Sequence, residues 1–150
     1  MLVRPDLLEK VIAFVRSIGI EVEEGATPNS TVPGVDIIGG HVCIDTAILR
    51  NVGDVLHEAG HIALMPSDKR SQLDGWIGSN PADEMSTIAW SWAAGVHLGL
   101  APEDILHDGA LGGKGDNLRE NFVAGSFVGV PMLQYWRMTS DYPRMLRWTR

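Results

Sequence analysis

The chain has 150 residues, 45% of them hydrophobic and 21% charged, a composition that suits one folded domain around one core. Twelve basic against nineteen acidic side chains give a formal net charge of −7 with no Lys/Arg run, so a nucleic-acid footprint is not expected. The single cysteine, Cys43, excludes an internal disulfide and a cysteine-based structural zinc site.

The opening "MLVRPDLLEKVIAFVRSIG" has early acids and no uninterrupted apolar core, which is not the pattern of a secretory signal. "FVAGSFVGVPMLQYW" is too short to cross a bilayer and holds Pro131. The expected compartment is the cytoplasm, without a membrane partner. There the sequon Asn29-Ser30-Thr31 carries no sugar.

The first predicted element is a helix over 5–18. Pro5 suits its first position, Leu8, Val11, Ile12, Val15 and Ile18 make one stripe, and Gly19 stops it. "IEVEE" is a short strand candidate, and "GATPNSTVPG" is a loop by composition. In "VDIIGGHVCIDT" two β-branched runs flank Gly39-Gly40, the pattern of a tight hairpin. Cys43 within it reads as a small core residue.

The period turns helical from 47 to 64. Val52, Val55, Leu56, Ala59 and Ala63 form the buried stripe, and Pro66 ends the element. A polar loop follows, with a short turn expected around 73–77. Asn80, Pro81 and Asp83 mark the start of the next helix, with Asp83 spaced to close a capping pair. That helix runs to Leu98, and Met85, Ile88, Ala89, Trp92 and Val96 are its expected inward residues. "APEDILH" makes a further helical turn, and "DGALGGKGD" reads as a flexible loop. Asn117 and Glu120 have capping-box spacing at the head of the last helical segment. Pro131 kinks or splits that segment, and Gly125 and Gly129 admit a close backbone. The tail "YPRMLRWTR" reads as a charged, solvated terminus. The sum is a single α+β domain over 1–150, with a small antiparallel sheet packed against four to five helices.

Chemistry concentrates in "VLHEAGHIAL". His57 and His61 are four apart, so on a helix both imidazoles aim at one point, and two neutral imidazoles suit a zinc ion. Glu58 stands a quarter turn from His57, where a carboxylate takes a proton from bound water. Gly60 is expected to thin the side of the helix that faces the sheet.

Two histidines need a third protein ligand. The downstream candidates are Asp68, Asp74, Asp83, Glu84, His97, His107 and Asp108. Glu84 is preferred, because a helix returning antiparallel presents its first turn to the motif and a carboxylate beside a buried stripe needs a partner. Asp83 has a competing role as cap. His107 is a candidate substrate-contacting or supporting group, and Asp54 a candidate for orienting a ligand. Tyr135 and Tyr142 are each able to polarise a carbonyl.

"HVCIDTAILRNVGDVLHEAGHIAL" followed by "PADEMSTIAWSWAAGVHLGL" resembles compact gluzincin metallopeptidases, in particular the ImmA/IrrE-type domains. The resemblance covers about residues 35–100. It implies a zincin-like fold, a mononuclear zinc site with a glutamate ligand from the second helix, and cleavage of a peptide bond. It also implies a peptide or protein substrate lying extended on an edge strand, here near "HVCID" or "DII". The expected function is therefore a zinc metallopeptidase with metal ligands His57, His61 and Glu84 and with Glu58 as catalytic base. The alternative is a catalytically silent binding module on the same scaffold.

Overall fold

The structure is a computed structural model and describes residues 2–74 and 80–150. Helix α1, Pro5–Ser17, begins on its proline and buries Leu8, Val11, Phe14 and Val15. Strands β1 (Val22–Glu24), β2 (Val35–Ile38) and β3 (His41–Ile44) form one sheet in the order β1-β3-β2. Gly39 and Gly40 both take positive φ, 57° and 77°, as a two-residue hairpin of this hand requires.

The hairpin pairs β2 with β3 antiparallel, but β1 runs parallel to β3. The expected antiparallel sheet is therefore mixed. The cause is two reversals: loop 25–34 turns the chain once and Gly39-Gly40 turns it again, so β3 lies beside β1 in the same direction.

Helix α2, Val52–Ala63, starts later than the periodicity suggests. The Asp45 carboxylate accepts from the Ala47 N–H at 3.0 Å, and the Asp45 carbonyl accepts from Ile48 and Leu49, which makes a separate turn first. All five residues of the expected stripe are buried. A single 3₁₀ turn, Arg70–Gln72, follows. The turn expected around 73–77 lies mostly outside the described residues.

Helix α3, Pro81–His97, is capped by Asn80, whose Oδ1 accepts from the Ala82 N–H at 2.9 Å, but the Asp83 side chain does not close the expected pair among the described residues. Its buried face differs from the expected stripe. Ile88, Ala89 and Trp92 are buried, but Met85 and Val96 are 47% and 44% exposed. Ser86, Thr87, Trp90, Ser91, Ala93 and Ala94 are buried with them. The helix is enclosed on several sides at once, so one amphipathic stripe does not describe it.

Short helices α4 (Pro102–Ile105) and α5 (Ala110–Gly113) precede α6 (Gly115–Val123) and α7 (Val130–Tyr135). The helical segments exceed the expected number because α4 and α5 are four-residue turns. The expected loop at 108–116 thus contains α5, where Leu111 and Gly112 take left-handed conformations. Asn117 lies inside α6 and does not cap it. Gly129 does allow a close approach: a Cβ there would collide with the Met85 carbonyl, whereas nothing stands within 4 Å of Gly125.

The tail is also packed, against expectation. Strands β4 (Thr139–Asp141) and β5 (Arg144–Met145) form a second, antiparallel pair. Trp148 stands edge-on to Phe14 and Trp90, at 5.0 and 5.8 Å between ring centroids. The Trp90 indole N–H donates to the Trp148 carbonyl at 2.9 Å. Aromatic burial and one indole hydrogen bond hold this segment down despite its arginines. The result is an α+β architecture with one hydrophobic cluster shared by both sheets and the helices. Among the described residues, no helix is long and apolar enough to cross a membrane.

Candidate metal centre and its cleft

Helix α2 presents Asp54, His57, Glu58 and His61 toward one cleft of about 420 Å³, because residues three and four apart share a helix face. Helix α3 packs its first turns on the second half of α2. Gly60 makes this approach possible: a Cβ there would stand 3.0 Å from Thr87 Cγ2 and from Trp90 Cε3. The thin side of the motif helix therefore faces α3 rather than the sheet.

Glu84 is carried to the motif by this packing. Its Oε1 lies 2.6 Å from His57 Nε2 and its Oε2 3.3 Å from His61 Nε2. The two imidazoles are nearly perpendicular, with centroids 4.8 Å apart. His57 and His61 are mostly buried and Glu84 partly so. The three side chains each bring one donor atom within 4.8 Å of the others.

The remaining candidates for a third ligand are occupied elsewhere or lie elsewhere. Asp83 is exposed, and its carbonyl accepts from the Ser86 and Thr87 hydroxyls. Asp74 accepts from the Gly39 N–H at 2.7 Å, and Asp108 pairs with Arg119 at 2.7 Å. His97 packs against Phe14 and Trp148, and Asp68 is exposed. His107 pairs with Asp54 at 2.8 Å.

The donor set, two imidazole nitrogens and one carboxylate, is that of a catalytic zinc site with one position left open. Donors on a tetrahedral ion with bonds of about 2.0–2.1 Å stand about 3.3 Å apart. His61 Nε2 and Glu84 Oε2 already have this spacing, and His57 Nε2 and Glu84 Oε1 would separate by about 0.7 Å. Thr87 supports the set. Its hydroxyl donates to the Asp83 carbonyl at 2.8 Å, so its oxygen faces His61 Nδ1, at 3.4 Å, as an acceptor. A proton on Nδ1 leaves the Nε2 lone pair for a metal.

The electrostatics are those of a strained charge cluster. For His57, burial disfavours the imidazolium, but the hydrogen bond and charge of Glu84 outweigh it and the pKa is raised. Hydrogen bonds from His57 and His61 hold the Glu84 carboxyl well below the usual carboxylate range. Glu58 is pushed upward by burial, against the opposing pull of the two histidines. It lines the cleft and makes no ion pair among the described residues.

Neither tyrosine lines this cleft. Tyr135 is exposed, and the Tyr142 hydroxyl donates to the Ala89 carbonyl at 2.7 Å. Cys43 is buried, and burial raises its thiol pKa, as for a core residue rather than a nucleophile. The Asp54–His107 pair is not encoded by local sequence pattern. Asp54 is spaced one turn ahead of Glu58, but its partner's position depends on α4. Compared with protein-family models, curated proteins and solved structures, the chain matches none.

Proposed function

We propose that the chain is a zinc-dependent peptidase of the compact gluzincin kind, with His57, His61 and Glu84 as ligands and Glu58 as general base. The observation that carries the reading is the convergence of these three donors in a cleft that also holds a half-buried carboxylate, Glu58, with no ion pair among the described residues. A bound zinc would supply Lewis acidity, which lowers the pKa of water toward neutrality and polarises a carbonyl.

The chain's own residues do the rest. Glu58 takes the proton of the attacking water and passes it to the leaving amine. Its burial brings its pKa nearer the working range of a base at neutral pH. Glu84 and Thr87 fix the two imidazoles in place.

The substrate is a peptide or protein segment. Val35 and Asp36 of β2 line the cleft, and β2 is at the sheet edge, so an extended segment can pair with it. Strand β3, which carries "HVCID", is covered on both sides, leaving "DII" as the edge candidate, where a substrate would replace the Asp36 carboxylate on the Ile37 N–H beyond the bridge from Val35 to Val32. A cytoplasmic location is part of this reading; among the described residues no helix is long and apolar enough to cross a membrane.

The test compares zinc-loaded parent with Glu58→Gln on a pool of internally quenched peptides. The variant should keep its zinc and cleave at least about a hundredfold more slowly, as expected for loss of a general base. Cleavage by the variant at the parental rate would end the assignment of Glu58. A zinc-loaded parent that cleaves nothing but captures one protein tightly would favour the silent binding module instead.

A further inference from the structure

Two ionisable side chains in the cleft have no part in the centre described above. Asp54 Oδ1 lies 2.8 Å from His107 Nε2, with the side chains only 16% and 19% exposed, and both line the cleft. Asp54 is one turn ahead of Glu58 on the same face of α2, so the pair and the base line the same cleft.

His107 is held firmly from outside. Arg119 of α6 donates to the Leu106 carbonyl at 2.8 Å and pairs with Asp108 at 2.7 Å, gripping the residues on either side of it. Ile105, just before, wedges against both α2 and α3, since a Cβ on Gly53 or Gly95 would collide with it.

The chemistry of the pair fixes the ring. A carboxylate only accepts, so the hydrogen on the neutral imidazole sits on Nε2 and the lone pair is left on Nδ1. Among the described residues no hydrogen bond is made to Nδ1. Its neighbour is Gly109, which also lines the cleft, and a Cβ there would stand 3.4 Å from Nδ1 and 3.5 Å from Cε1. Gly109 has φ −79° and ψ −4°, values any residue adopts, so its backbone does not require glycine. A side chain there would rest in contact with the edge of the ring that carries Nδ1.

We infer that His107, fixed by Asp54, is a substrate-contacting residue whose Nδ1 accepts a hydrogen bond from an N–H of the peptide in the cleft; this rests on the peptidase reading above. Asp54 is a positioning residue that acts through the ring. An extended peptide offers an N–H on each side of the scissile bond, and a fixed acceptor in the same cleft as the base sets its register.

The test is ¹⁵N NMR of the imidazoles in the Glu58→Gln protein, which does not consume the probe. Zinc is added first, then a pool of N-acetylated, C-amidated tetrapeptides. Zinc should move the His57 and His61 nitrogens and leave His107 as the Nε2–H tautomer; the peptides should then shift His107 Nδ1. Gly109→Ala should weaken peptide binding about threefold to tenfold, the worth of one hydrogen bond, with zinc uptake unchanged. Asp54→Asn should abolish the single tautomer.

Peptide-induced changes at His57 and His61 with a silent His107 would overturn the inference and leave the peptidase reading intact. So would a ring protonated on both nitrogens in the peptide complex. If zinc leaves His57 and His61 unmoved, the metal reading fails, and the role of His107 with it.

Discussion

Glu84 on the first turn of α3 lies with one carboxylate oxygen 2.6 Å from Nε2 of His57 on α2, so the helix pair closes the two halves of the site through these side chains. Replacing Glu84 with Gln removes the proposed anionic ligand and keeps its shape. Zinc affinity should fall by more than about a hundredfold, beyond what changes to groups behind a ligand typically cost. Competition with a chromophoric chelator measures it. An affinity within threefold of the parent would remove Glu84 from the ligand set.

Zinc held by the folded chain alone stabilises it by mass action. At free zinc a hundred times the dissociation constant the gain is about 2.7 kcal/mol, which for a chain of this size is a rise of roughly 5–10 °C in Tm. Thermal melts with zinc and with chelator should differ by that amount, and Glu84→Gln should melt at nearly the same temperature in both.

Trp148 packs against Phe14, Trp90 and His97, so truncating it opens a gap beside the buried Trp90. Trp148→Ala should cost about 2–4 kcal/mol in urea unfolding. Leu146, two residues away and 67% exposed, should cost under about 0.5 kcal/mol as Ala. Equal effects would mean that the tail is not docked.

Tyr142 gives an alkaline signature. Its phenol is buried and donates to the Ala89 carbonyl, so its pKa is raised above the ordinary value of 10.0. The folded state holds that proton where the unfolded chain releases it, so the stability the phenol contributes is full below about pH 10 and declines as pH rises above it. Tyr142→Phe should cost about 0.5–1.5 kcal/mol at pH 7 through the lost hydrogen bond. The difference from the parent should shrink between pH 10 and 11. Denaturant midpoints at the three pH values check both.

Gly60 is where the two helices touch. A larger side chain must push Thr87 and Trp90 away, and Thr87 faces His61. Gly60→Val should destabilise by about 1–3 kcal/mol and weaken zinc binding as well, whereas a purely local packing loss would leave zinc affinity alone.

Much of the site was legible because a helix repeats every 3.6 residues. The spacing of His57 and His61 fixes a common face, and Asn80 with Pro81 fixes where α3 begins, which puts Glu84 in its first turn. Gly60 was read as a point of close approach, but which neighbour approached was not encoded locally. Other features depended on contacts distant in sequence. Strand β1 lies beside β3 because of how loop 25–34 turns, and β-branched runs carry no record of their partners. The inward face of α3 was misread at Met85 and Val96 because a helix enclosed by α2, α7 and the tail has no single apolar stripe. Asn117 mimics a cap, but α6 already begins at Gly115, so Asn117 falls inside it.

The most direct measurement is anomalous scattering at the zinc edge from crystals of the zinc-loaded protein. One strong peak is expected, bounded by Nε2 of His57, Nε2 of His61 and the Glu84 carboxylate. A full-occupancy peak at the exposed Glu21, Glu23 and His41 cluster with none at His57, or no peak at all, would contradict it.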